Sequence, residues 1–339
     1  MKLEFIIFSE RIVNRLRGKG VDLDTVAKRE GFSEQMAELD STIRDIMQHE
    51  GYSDEFFVAP GVPRIRPVLI YLSSEIGAMA SQESAEKGRL MHLALSAEIF
   101  YSAVLVHDLA LGESGSKRRS LLKKFVGRAL RLHERSWHGG NQLITRSFEL
   151  VMMTHSSEIM SEFVRSMREV QDAQKTIVEQ EVFPSSCEVM SFIETYTGEM
   201  FGFACRAGGM MSKAPRAHCN LLARYGRELG VAWQLTEELA HMEGRNILAL
   251  EEQVAMGRPF YAVALAAEQD PNIQSLWAAV LREDVPVEQL MDELIDSPSL
   301  VQTRQTIVEH VWSARSILRD LPHSSHRDQL DHLAFALAN

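Results

Sequence analysis

An all-α fold is the class the sequence predicts, and three observations predict it. Punctuation is sparse, with 10 prolines and 20 glycines in 339 residues. Strand-like runs of Val, Ile and Thr bounded by turn residues are scarce. Long stretches instead repeat apolar residues at three- and four-residue spacing. Together these predict a bundle of roughly ten or more helices.

The elements follow in chain order. Residues 1–58 carry more charge and shorter apolar runs, and read as an amphipathic N-terminal helical extension to a body over 59–339. The turn Ala59-Pro60-Gly61-Val62-Pro63 precedes a helix over 64–80. Residues 89–111 form a nearly continuous apolar stretch through Leu90, Leu93, Ala94, Ala97, Ile99, Val104 and Leu105. Glu98 and Ser102 interrupt it before His107. A helix apolar nearly all round is expected in the core. Gly112–Ser116 breaks it, and Gly139-Gly140 marks a second break before a helix over 141–169. Phe183-Pro184-Ser185-Ser186 leads into 188–211, and Ala214-Pro215 into a second apolar helix, Leu221 to Met242. Helices over 271–283, 286–296, 299–319 and 326–338 complete the chain. Pro286 and Pro298 stand at helix starts, where a proline suits the first turn.

Composition bounds the function. Apolar residues make up 45% and charged residues 24%, ordinary for a folded chain long enough to need no staple. Lys+Arg 36 against Asp+Glu 47 gives −11, which argues against a general nucleic-acid or anionic-lipid binder. Cys187, Cys205 and Cys219 are odd in number and far apart, so neither a disulfide framework nor a zinc ribbon is expected. Cys205, among Phe201, Phe203 and Ala204, is a core residue. No signal peptide and no membrane span of about 18 apolar residues is expected, which makes the cytoplasm the default address. Met152, Met153, Met160 and Met167, at roughly helical spacing, read as core packing.

Six blocks then fall in a familiar order. Gly61-Val62-Pro63-Arg64-Ile65-Arg66-Pro67 resembles the GGKRxRP signature of trans-isoprenyl diphosphate synthases, the polyprenyl synthetase family. Glu98 to Asp108 resembles its ExxHxxSLxHDDxxD helix. Gly139-Gly140-Asn141-Gln142-Leu143 sits at the Gly-Asp-x-Leu turn, and Tyr196-Thr197-Gly198-Glu199-Met200-Phe201 resembles KTGxLF. Tyr225 to Leu235 resembles YGxxLGxAFQI, and Gly257-Arg258-Pro259 falls at the late GKxT turn. The resemblance covers roughly residues 55–270. It implies a large all-α domain around a central cavity, usually dimeric, acting on prenyl diphosphates with magnesium held by two DDxxD motifs.

Those motifs are eroded. The first reads Asp108-Leu109-Ala110-Leu111-Gly112, and the second Glu237-Glu238-Leu239-Ala240-His241. The signature lysine is Pro63, the early helix histidine is Tyr101, and the lysine of the KTG block is Tyr196. The apolar and glycine framework persists while diphosphate-facing charges thin out. The resemblance implies Asp108, Glu237 and Glu238 as catalytic carboxylates. It also implies Arg64, Arg66, Tyr101, Arg118, Arg119 and Gln234 as substrate contacts, and Ala103 and Val104 as small gates to a long chain pocket.

Glu237 and His241, at i, i+4, share a helix face, so Asp108, Glu237 and His241 form a candidate metal trio. Magnesium would be weakened there, and the imidazole favours another divalent metal. Three readings follow. The first is a degenerate family member that binds a prenyl chain or diphosphate, or accompanies an active synthase as a homodimer or heterodimer. The second is a prenyltransferase or terpene-cyclase-like enzyme with a rebuilt metal site. The third is a structural or regulatory dimer whose old site is filled by side chains.

Overall fold

The computed structural model describes residues 33–49, 64–82, 85–114, 133–179 and 182–338. These residues are helical throughout, with no strand among them. In chain order they form α1 (Ser33–His49), α2 (Ile65–Ser81), α3 (Lys87–Ser114), α4 (His133–Met152) and α5 (Ser157–Glu179). Next is α6, one continuous helix over 186–211 made of Ser186–Ile193, a wide π turn at Glu194–Gly198, and Glu199–Met211. Then come α7 (Arg216–Glu243), α8 (Ile247–Met256), α9 (Tyr261–Gln269) and α10 (Pro271–Leu281). Last are α11 (Val287–Ile295), α12 (Pro298–Leu318) and α13 (Ser325–Leu337).

One apolar core runs through the bundle. The 89–111 stretch is its central helix α3, with Leu93, Ala94, Ile99 and Ala103 fully buried. By length and composition α3 could cross a membrane, with mean hydropathy 1.4 over Lys87–Asp108. This corrects the expectation that no stretch qualifies. The segment is 83% buried inside the bundle, which accounts for its apolar character as a core helix. Leu39, Ile43 and Ile46 of α1 join the same core.

Glycines set the closest helix approach. A Cβ on Gly226 of α7 would lie 2.5 Å from the Phe201 carbonyl oxygen of α6, and one on Gly230 would lie 2.9 Å from that of Thr197. Opposite them, α6 presents Gly198 and Gly202. Two facing pairs, each four residues apart, let the backbones nearly touch. This contact fixes α6 against α7 beside the cavity.

Two predicted boundaries fall elsewhere. Gly139-Gly140 lies inside α4 rather than at a break. A Cβ on Gly140 would lie 2.3 Å from the His107 ring, so the glycine serves a helix crossing and not a turn. The single helix expected over 141–169 breaks instead after Met152. His155 takes a left-handed φ of 52°, and the Ser156 hydroxyl accepts the Ile159 N–H at 3.3 Å to start α5. Periodicity carries across such a two-helix seam because both helices face the same core. Met152 and Met153, at that seam, are exposed rather than packed, while Met167 is buried and Met160 rests against the core. Cys205 is fully buried, as expected. α8 and α9 were not foreseen as separate helices; Asn246 caps the first of them.

Candidate functional site

Helices α2, α3, α6, α7 and α8 and the turn that follows α8 converge on a small cavity. α3 contributes Tyr101, Leu105 and Asp108, which share a face at three- and four-residue spacing. α7 contributes Trp233, Gln234, Glu237 and Glu238. The π turn of α6 swings Tyr196 and Thr197 inward, a common use of such turns. The start of α2 supplies Arg66, and the turn between α8 and α9 supplies Arg258 and Pro259. The enclosed volume is about 100 Å³. Pockets that hold small organic ligands run to roughly 300–1,000 Å³.

Polar groups on the walls are committed to one another. Asp108 Oδ2 accepts the Tyr196 hydroxyl at 2.5 Å and a guanidinium N–H of Arg258 at 3.0 Å. Its Oδ1 accepts the Gln174 amide of α5 at 2.8 Å, and the same amide reaches the Val104 carbonyl. Burial, and then the Asp108 charge beside it, hold the Tyr196 phenol well above its ordinary pKa, so it stays a donor.

Across the cavity, Arg66 is ion-paired to the buried Glu98 at 2.9 Å and lies over the Tyr101 ring at 3.6 Å. Arg64 is spanned between Asp40 of α1 at 2.6 Å and Glu98 at 3.3 Å. Burial pushes Tyr101 up to about 12.

The α7 carboxyls are held differently. Glu237 Oε1 accepts the Trp233 indole N–H at 3.0 Å. Glu238 Oε1 accepts the Gln234 amide at 3.1 Å, and its Oε2 accepts the Tyr261 backbone N–H at 2.8 Å. That last bond caps the N-terminus of α9, where a carboxylate suits the helix dipole. Burial pushes both carboxyls up to about 7.

The family resemblance implies magnesium at this place, and the donors present do not fit it. A hard divalent ion needs several ionised oxygens aimed at one point. Here Asp108 faces an arginine, Glu238 caps a helix, and Glu237 is buried enough to hold its proton near neutrality. Among the described residues no three His, Cys, Asp or Glu side chains group to hold an ion. The expected trio of Asp108, Glu237 and His241 is therefore not assembled. His241 is buried, its Nδ1 lies 2.9 Å from the Asn246 amide, and its ring stacks on Phe260.

Of the sequence-predicted residues, the cavity brings together Arg66, Tyr101, Asp108, Gln234, Glu237 and Glu238. Arg64 stands behind Glu98 rather than on the wall. Ala103 and Val104 are buried in the core and are not among the residues that line this cavity. Arg118 and Arg119 lie outside the described residues. Sequence reasoning missed the three partners that Asp108 has among the described residues. Tyr196 and Arg258 stood in recognisable blocks, whereas Gln174 carries no motif and is placed only by the packing of α5.

Comparison with known proteins bears directly on this arrangement. Residues 53–247 match the polyprenyl synthetase family profile. The chain is 26% identical over 301 residues to an octaprenyl diphosphate synthase of Haemophilus influenzae, covering 83% of this chain and 85% of that one. It is 22% identical over 272 residues to a decaprenyl-diphosphate synthase of Dictyostelium discoideum, covering 79% of this chain but only 57% of that longer relative. A polyprenyl synthase from Caulobacter crescentus, solved with calcium and isoprenyl diphosphate, superposes with a TM-score of 0.76 at 23% identity. That match covers 96% of this chain and 98% of the other. With more than half of the chain inside the family profile and the whole fold shared, this protein belongs to the polyprenyl synthetase family.

Proposed function

We propose that this member of an isoprenoid-biosynthesis family does not perform magnesium-dependent chain elongation and acts as the non-catalytic companion of an active synthase. The observation that carries the reading is the state of Asp108, the one aspartate left in the first motif. Its carboxylate is occupied by Tyr196, Arg258 and Gln174. The cavity of about 100 Å³, walled by Tyr101, Phe192, Tyr196, Phe201 and Trp233, adds support, since a prenyl diphosphate needs several times that space. An enzyme rebuilt around Asp108, Glu237, Glu238 and His241 draws less support, because His241 is not among the cavity-lining residues and the carboxyls serve other partners.

Elongation is the test. Purified protein is incubated with radiolabelled isopentenyl diphosphate and allylic diphosphates of ten to twenty carbons, with magnesium or manganese. The expected result is no product; turnover approaching the roughly 10 per second typical of enzymes overturns the reading. The companion role is tested by co-expression with the active polyprenyl synthase of the same organism. A stable complex is expected, and separate elution of the two chains removes that half of the proposal.

A further inference from the structure

One cause of the misfit between the donors and a divalent ion lies at a single residue, Arg258. Arg258 reaches into the cavity from the turn between α8 and α9. Its Nη1 is 3.0 Å from Asp108 Oδ2, and its other terminal nitrogen lies 2.8 Å from the Met256 sulfur. Its guanidinium also faces the Phe192 and Tyr196 rings, at 5.6 and 5.9 Å. The turn itself is held at both ends. Gly257 adopts a left-handed φ of 68°, and the N–H of Arg258 bonds the Gln253 carbonyl at 2.9 Å, closing the end of α8. On the far side, Glu238 of α7 receives the Tyr261 N–H at 2.8 Å. A carboxylate of the second motif thus clasps the turn whose arginine neutralises the carboxylate of the first.

We propose that Arg258 is a resident cation that takes the place of the divalent ion at Asp108, carried on a strap that Glu238 fastens, so that the site is charge-complete without metal. This rests on the non-elongating reading and gives its physical cause. One fixed guanidinium supplies one positive charge with directed N–H donors. A divalent ion would supply two charges and demand oxygen ligands that this wall has assigned elsewhere. The proposal makes metal indifference a property of the strap and not only of the lost motif aspartates.

The test uses the full-length protein and manganese(II) alone as the probe, read by EPR of free manganese and by thermal melting. The wild type is expected to show no saturable binding at millimolar manganese and no shift in Tm. R258M, which leaves Asp108 without its cation, is expected to bind manganese at least tenfold more tightly than the wild type and to melt several degrees higher with it than without it. R258M combined with D108N is expected to lose that response. Manganese binding by the wild type that D108N abolishes overturns the proposal, and so does a folded R258M that gains none. Should R258M not fold, R258Q, which keeps a polar chain in the turn, carries the same comparison. Elongation by the wild type with this manganese pattern intact would sink the non-elongating reading while leaving the resident cation standing.

Discussion

Tyr196 and Asp108 are 88 positions apart in sequence and share a 2.5 Å hydrogen bond in the buried site. The tyrosine stands where the resembling segment of the family has a lysine, and it arrives through a π turn that widens α6 at that point. A phenol there is a donor of fixed direction with a large apolar body. It satisfies the aspartate and fills space at once.

Removing that donor should be felt in stability. Y196F leaves Asp108 with Arg258 and Gln174 but strips one bond from a buried carboxylate. The expected loss is about 1–2 kcal/mol, measured by urea unfolding. No change in the midpoint would mean that the hydroxyl contributes nothing to the closed site.

The α7 carboxyls should make stability depend on pH with an inverted sign. Their folded values, about 7, lie above the ordinary 4.5. Between those values the folded state holds protons that the unfolded chain releases. Their contribution is therefore full below about pH 4.5 and is lost as pH rises through 7. Unfolding free energy measured from pH 5 to 8 should fall across this window, and E237Q, a permanent neutral mimic that keeps the acceptor for Trp233, should flatten the slope and stabilise the protein most at pH 8. An unchanged slope would place the titrating groups elsewhere.

The seam between α6 and α7 should tolerate no side chain. G226A drives a methyl to 2.5 Å from the Phe201 carbonyl oxygen and 2.8 Å from the Gly202 Cα, which are backbone atoms that cannot rotate away. A loss of about 3 kcal/mol is expected, at the upper end for overpacking, read as a lowered Tm. Because the seam positions Thr197 against Gln234, the same variant should loosen the cavity, visible as faster amide exchange in the π turn.

A second ion network offers a contrast. Glu199 is buried, and its carboxylate binds Arg165 at 2.8 Å and Arg227 at 2.8 Å, joining α5, α6 and α7. Both arginines are more than a third exposed, at 37% and 42%, so they can turn to water when the partner is lost. E199A should thus cost about 1–3 kcal/mol, less than the removal of one member of a wholly buried pair. A loss well above that range would show that the arginines stay trapped.

Much of the fold was legible in the chain. Apolar residues at helical spacing fixed the class, and the breaks at Phe183–Ser186 and Ala214-Pro215 fell between helices as turn chemistry requires. Where the reading failed, the same local signal served another purpose. Gly140 looks like a turn residue but relieves a crossing with His107, and the pattern over 141–169 runs unbroken because α4 and α5 bury faces in one core. The site was half legible. Charge type and motif position mark Arg66, Tyr101, Asp108, Gln234, Glu237 and Glu238 as neighbours.

What the sequence by itself determined is the family framework and the residues that stand at 108–112 and 237–241, since both are written in residue identity and spacing. What only the tertiary structure decided is the fate of the charges left behind. Gln174 on α5, Tyr196 on α6 and Arg258 on the α8–α9 turn reach Asp108 on α3 from 66, 88 and 150 positions away. No local pattern encodes such pairings. They exist because helices packed around a shared core bring polar groups out of water together, and each buried charge must then find its partner inside the protein.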